Sequence, residues 1–192
     1  MENRQLETTR LLLRPFTRTD IDALHCHWTD PQVRRYLWDD QIIPREQAAA
    51  IVESSLASFA EHGFGFWTVA MKGEPLVIGC AGLRHFDDPR NAQPAVEILY
   101  SLAPEHWVQG LASEAARAVL QYGFEVCELP RIFAGADPPN VASFRVMERL
   151  GMRFDHRAKL NGVVANYYAI TREAHLARQT LQRAPQMAAV LD

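Results

Sequence analysis

The sequence predicts a mixed α/β fold, and three observations carry that expectation. Short strand-like runs of apolar residues are interleaved with longer stretches in which apolar residues recur every three to four positions. One helical stretch, near 111–126, lies between strand-like runs at 95–102 and 131–137. A strand–helix–strand order places the two strands side by side and parallel, joined by a right-handed crossover. Residues 152–170 read as two strands around Asn161-Gly162, a pair that favours a tight hairpin turn.

The elements follow in order. RLLLRPF (10–16) reads as a first strand, ended near Pro15, and Asp20 suits the cap of a short helix through Leu24 to Trp28. Residues 28–44, WTDPQVRRYLWDDQIIP, form an irregular or briefly helical connection rich in large amphipathic groups. Pro44 fits the first position of a helix that ends at Gly63. Strand-like runs at 64–71 and 76–86 flank the turn signal Lys72-Gly73-Glu74-Pro75, and a polar loop at 87–94 leads to the strand AVEILYSL. In the helix that follows, Leu111, Ala115, Ala118, Val119, Tyr122 and Val126 share one face, with Glu114, Arg117, Gln121 and Glu125 on the other. Pro138-Pro139 breaks the strand 131–137; Asn140 then caps a helix whose apolar face is Val141, Phe144, Met147 and Leu150, closed by Gly151. The hairpin precedes a helix from Thr171 to about Arg183. The expected organisation is one domain over residues 1–183 with a loose tail at 184–192.

Composition narrows the function classes. The 192 residues are 48% hydrophobic and 22% charged, with 20 Lys and Arg against 23 Asp and Glu. That balance is ordinary for a globular protein, and the lack of a basic run argues against a nucleic-acid partner. No stretch approaches the ~20 apolar residues of a membrane span, and the polar start does not read as a signal peptide. Cys26, Cys80 and Cys127 form neither a CxxC pair nor a disulfide framework; each lies in an apolar pattern and reads as a small buried side chain. A cytoplasmic protein is the expectation, with monomer and homodimer both open. His25 and His27 form an HxH pair without an evident third ligand, so no metal site is expected. Gly63-Phe64-Gly65 lacks the third glycine of a dinucleotide fingerprint.

One stretch organises the chain: His106-Trp107-Val108-Gln109-Gly110-Leu111-Ala112-Ser113. Gly110 and Ala112 sit where strand gives way to helix, without side chains that would hold a ligand off the backbone. Amide groups at a helix start lack internal partners, and the helix dipole adds about half a positive charge there. Such a turn suits phosphate oxygens, although a glycine before a helix is more often a tight turn alone.

Three pieces together resemble a known family. The segment from Glu97 to Glu125, the later DPPNVASFRVMERLGM and the opening LETTRLLLRPF look like the GNAT superfamily of acyl-CoA-dependent N-acyltransferases, within it the branch of the ribosomal-protein N-terminal (alanine/serine) acetyltransferases. DPQVRRYL (30–37) is similar to a segment that this branch carries between its first two helices. The resemblance implies a strongly twisted mixed sheet of about six to seven strands, flanked by helices and splayed at the cofactor site. It implies acetyl-CoA as cosubstrate, its pantetheine along Leu99, Tyr100, Ser101 and Leu102. Its pyrophosphate would lie on Val108, Gln109, Gly110, Leu111, Ala112 and Ser113, with Asn140 and Ser143 facing the cofactor arm. The chain departs from the family pattern at Trp107, often Gln or Arg, at Val108, often Gly, and at Met147, where many members place a catalytic Tyr.

The expected chemistry is direct acetyl transfer to a primary amine in a ternary complex, the acceptor being a protein N-terminus or a small molecule. The resemblance places a general base at or near Glu97; the residue reading alone allows equally a carboxylate paired with an arginine or exposed on the sheet. Ser143 would stand in as proton donor for the missing Tyr, or serve as a local helix cap. Tyr36, Trp38, Asp39 and Asp40 suit the acceptor site, since a cationic amine is drawn to carboxylates and aromatic faces; otherwise the aromatics are core and the aspartates a solvated turn. The rival is a catalytically silent acyl-CoA-binding or sensing module.

Overall fold

The computed structural model describes residues 4–88, 90, 94–160 and 163–188. Its centre is an eight-stranded sheet in the order β1-β2-β3-β4-β5-β6-β8-β7. The strands are β1 (Leu6–Glu7), β2 (Leu11–Pro15), β3 (Phe66–Met71), β4 (Val77–Phe86), β5 (Ala95–Leu102), β6 (Arg131–Ala136), β7 (Arg153–Leu160) and β8 (Val163–Thr171). The helices are α1 (Ile21–Thr29), α2 (Pro31–Leu37), α3 (Arg45–His62), α4 (Leu111–Glu125), α5 (Val141–Leu150) and α6 (Arg172–Ala188). The sheet exceeds the six to seven strands expected because two-residue β1 pairs with β2 at the edge.

Neighbouring strands are antiparallel except β5 and β6, which are parallel, as the strand–helix–strand order requires. These two pair only at Glu97↔Phe133 and then diverge. β5 meanwhile keeps β4 along its whole length, from Phe86↔Ala95 to Gly79↔Leu102. The sheet therefore splits in its middle, with an edge of β5 open past Glu97.

Each sheet face has its own core. Leu13, Trp67, Val69, Leu83, Ile98 and Leu102 pack with Leu111, Ala115, Val119 and Met147 of α4 and α5. Phe16, Leu24, Trp28, Val52 and Cys80 form a second cluster under α1 and α3. Alternation along β5 decides which side chains face which helices. Ile98 and Leu102 join the α4 core, whereas the Ser101 hydroxyl meets His27 of α1. Glu97 and Leu99 thus share the α1–α2 face with Ser101.

Several local expectations are corrected. The connection 28–44, expected to be irregular or briefly helical, does hold a short helix, α2, capped by Asp30, whose carboxylate accepts from the Gln32 and Val33 amides. Asp20 precedes α1 but does not cap it; its carboxylate is taken by the Arg14 guanidinium at 2.6 and 2.7 Å and by Thr17. Pro44 sits just before α3 with extended backbone rather than inside its first turn. Val126 is 63% exposed, because the buried stripe of α4 turns instead through Ala116, Leu120 and Phe124. Cys26 is exposed while Cys80 is buried, so the apolar pattern misread one cysteine. α6 continues past Arg183 to Ala188; the rest of the expected tail, and the Asn161-Gly162 turn, lie outside the described residues.

Candidate active site

The split between β5 and β6 opens a cleft of about 530 Å³. Leu99 to Leu102 line it from β5 and Gly135 to Asp137 from β6 and just beyond, together with residues at the starts of α4 and α5. Gln32, Val33, Tyr36 and Leu37 of α2 and Asp39 after it also line it.

The α4 end fits a diphosphate. Gly110 takes φ +78° just before the helix, a conformation that glycine adopts without strain. Val108 takes φ +62°, which a β-branched side chain enters only at a cost, and it is fully exposed. Trp107 donates its indole N–H to the Leu102 carbonyl at 2.6 Å, tying the turn to the end of β5. Ser113 lines the cleft with a buried hydroxyl that has no hydrogen-bond partner among the described residues. Arg145 and Arg149 add cationic side chains from α5. An orphaned hydroxyl, a left-handed glycine and an uncapped helix start together suit an anionic cofactor. Bound there, acetyl-CoA supplies the acetyl group as a reactive thioester.

Of the residues expected to hold that group, Leu99, Tyr100, Ser101, Leu102, Val108, Gly110, Leu111, Ala112, Ser113, Asn140 and Ser143 all line the cleft. Gln109 does not: its amide bonds the Glu105 carbonyl and its own carbonyl accepts from Arg10. Asn140 acts as the cap of α5, its side-chain oxygen accepting from the Ser143 amide at 3.2 Å. The Ser143 hydroxyl is therefore not spent on capping. Tyr100 donates to the Ser143 carbonyl at 3.1 Å, and burial holds its phenol well above the usual range, so it stays protonated.

The expected catalytic carboxylate stands at the bottom of the split. Glu97 is 5% exposed, and one of its oxygens accepts from two nitrogens of Arg84, each at 2.7 Å. Its surroundings match the paired reading, in which the carboxylate needs a cation to be tolerated there. Ser101 carries a second polar contact, its hydroxyl 2.5 Å from His27 Nε2. Burial pushes the His27 pKa down to about 4, so the ring is neutral near pH 7.

The four expected acceptor residues separate. Tyr36 and Asp39 reach the cleft. Trp38 does not; it stacks edge-on against Trp28 and lines a smaller cavity of about 220 Å³ with Ile43 and Gln47. Asp40 turns away and pairs with Arg34 at 2.9 Å.

Arg84, Asp137, Arg145, Arg149 and Tyr167 line the cleft and escaped the sequence reading. Tyr167 is buried, stacked between Phe86 and His156, and its ring lies across Gly135, where a Cβ would come within 2.8 Å of it. The sequence signal was a glycine inside an otherwise buried strand, which often marks such an approach. Asp137 was visible only as the polar end of RIFAGAD.

Comparison with known proteins agrees with this geometry. A family model described as an acetyltransferase (GNAT) domain matches residues 10–153. YnaD of Bacillus subtilis, described as an uncharacterized N-acetyltransferase, is 33% identical over 149 residues, covering 77% of this chain and 82% of its own. The crystal structure of a GNAT-family acetyltransferase from Bacillus anthracis superposes with a TM-score of 0.72 at 29% identity, over 88% of this chain and 99% of that one. A ribosomal L7/L12 alpha-N-protein acetyltransferase in complex with coenzyme A shares the fold, with a TM-score of 0.72 at 19% identity over 88% and 98% of the two chains.

Proposed function

The chain belongs to the GNAT acetyltransferase family, and on that premise we propose that it transfers the acetyl group of acetyl-CoA directly to a cationic primary amine. The observation that carries this reading is the mixed lining of the cleft. It offers the start of α4 with a serine hydroxyl that has no partner among the described residues, the arginines of α5, and Tyr36, Asp39 and Asp137, the two carboxylates forming no ion pair among the described residues. A dianionic diphosphate is drawn to the first groups and an ammonium to the carboxylates.

In this reading the open edge of β5 holds the acyl donor, and Gly110 to Ser113 hold its diphosphate. The Ser143 hydroxyl donates a hydrogen bond to the departing sulfur. A thiol has a reference pKa near 8.5, so that hydrogen bond assists departure without having to complete a proton transfer. The Glu97–Arg84 pair keeps a fixed dipole beneath the reacting atoms. A protein N-terminus and a small alkyl amine both fit the charge pattern.

The experiment is thiol release from acetyl-CoA with a panel of peptides bearing free N-termini and small alkyl amines, run beside a CoA thermal shift. Ligand at about 100 times its dissociation constant adds ~2.7 kcal/mol to stability. A shift with CoA but no acetylation of any amine leaves a silent acyl-CoA-binding module. No shift removes the cofactor assignment altogether.

A further inference from the structure

We propose that Asp137, and not Glu97, accepts the proton of the acceptor amine, with the Tyr167 hydroxyl holding that amine beside it. The inference rests on the amine-acetylation reading above and assigns the proton's destination within it.

The two carboxylates differ in what surrounds them. Glu97 is clamped by Arg84: two guanidinium nitrogens, each at 2.7 Å, already occupy one of its oxygens. Asp137 directly follows β6 and lines the cleft. Its backbone carbonyl accepts from the Asn140 amide, but its carboxylate forms no ion pair or hydrogen bond among the described residues. Burial, and then the charge of Asp39 across the cleft, raise its pKa above the ordinary aspartate value. A base gains as its pKa approaches the working pH. Asp39 from the loop after α2 and Tyr167 from β8 interact with it electrostatically, and Glu97, Arg84, Arg145, Arg149 and His106 are the other titratable and charged groups that line the same cleft.

Tyr167 is the independent sign that a polar ligand belongs here. Its side chain is 6% exposed and lines the cleft, yet its hydroxyl has no hydrogen-bond partner among the described residues. Register fixes its direction: Tyr167 lies opposite Gly135, two residues beyond the last β5–β6 pair at Phe133, on the face that carries Glu97. Burial first, then Glu97, push its pKa up to about 12, so the hydroxyl stays protonated. It is a fixed hydrogen-bonding group rather than a base.

The step balances as follows. Asp137 takes one proton from the incoming ammonium and frees the nitrogen lone pair. The N–C bond forms as the C–S bond breaks, and that bonding pair leaves on sulfur. The proton lost from nitrogen as the amide forms goes to the thiolate, and Asp137 returns its own proton to water.

The test compares wild type, Asp137→Asn, Asp137→Ala and Tyr167→Phe, using a short peptide with a free N-terminus and an alkyl amine. Asp137→Asn should lose about 100-fold in kcat/KM at pH 7, recover as pH rises, and keep the acetyl-CoA KM. Tyr167→Phe keeps the aromatic stack and should raise the acceptor KM. Carboxyl-carbon NMR of wild type against Asp137→Asn gives a second readout: the resonance lost in the variant should titrate above the ordinary aspartate range. An active wild type with an equally active Asp137→Asn of unchanged pH profile overturns the inference alone, as does an ordinary or lowered Asp137 titration. A wild type that binds CoA and acetylates no amine overturns the acetylation reading, and the inference with it.

Discussion

The Arg10 guanidinium and the Glu114 carboxylate meet at 2.7 Å, joining β2's approach to the first turn of α4 across 104 residues. The same carboxylate accepts from the Thr8 hydroxyl at 2.6 Å and the Arg10 amide at 2.8 Å, while Arg10 also donates to the Gln109 carbonyl at 3.1 Å. These bonds hold Glu114's pKa low despite its burial, and they fasten the turn before Gly110 to the opposite end of the chain. Glu114→Gln and Arg10→Ala should therefore raise the acetyl-CoA KM about tenfold, with kcat within a factor of two; tenfold corresponds to ~1.4 kcal/mol. Arg10→Lys should recover part of the loss. Steady-state kinetics with acetyl-CoA varied checks this, and an unchanged KM in both variants would show the staple to be structural only.

The turn itself is strained at one residue and built for close approach at another. Val108 at φ +62° costs on the order of 1–3 kcal/mol relative to a relaxed backbone, and its exposed side chain gains nothing in return. Val108→Gly should raise the melting temperature or leave it level, and CoA should bind at least as tightly. Gly110→Glu places a carboxylate at the diphosphate position and should abolish the CoA-induced thermal shift. A Gly110→Glu protein that still binds CoA like wild type would move the diphosphate elsewhere.

Much of this was legible beforehand, and the reasons are local. The order of β5, α4 and β6, the caps at Asn140 and Gly151 and the cleft-facing run Leu99 to Leu102 all follow from periodicity, cap chemistry or family resemblance. What escaped depended on register between distant strands. Nothing near Glu97 in sequence announces Arg84; only the β4–β5 pairing places them opposite each other. Tyr167 and Gly135 become a unit only when β8 is laid on β6. The loop expected to bind the acceptor was half readable: its charge and aromaticity were plain, but not that Arg34 reaches forward to capture Asp40 while Asp39 stays in the cleft.

His27 links the site to stability. Its pKa is lowered from 6.5 to about 4, so the unfolded chain binds the proton more readily than the fold does. The neutral ring's contribution is complete above pH 6.5 and is lost as pH falls from there toward 4, up to about 3 kcal/mol. Denaturant midpoints measured across that range should fall in wild type. They should fall less steeply in His27→Gln, which keeps a hydrogen-bonding group near the Ser101 hydroxyl. Parallel curves for the two proteins would mean the imidazole is as easily protonated folded as unfolded.

Neighbouring aspartates give the sharpest test of the acceptor end. Asp39 and Asp40 both adopt positive φ, at 51° and 62°, in one turn, yet only Asp39 lines the cleft. Asp40 is already neutralised by Arg34, so an arriving ammonium meets Asp39 and Asp137 instead. Asp39→Asn should raise the acceptor KM several-fold and leave acetyl-CoA KM alone, because it removes charge from the acceptor end only. It should also let Asp137 titrate lower, since Asp39 contributes to holding that carboxyl's pKa up. A lower pKa extends the ionised form to lower pH, so the acidic limb of kcat/KM should move downward in Asp39→Asn. Asp40→Asn should change neither constant nor the limb. Equal effects from the two substitutions would mean that the loop acts through its fold rather than through the charge it presents to the cleft.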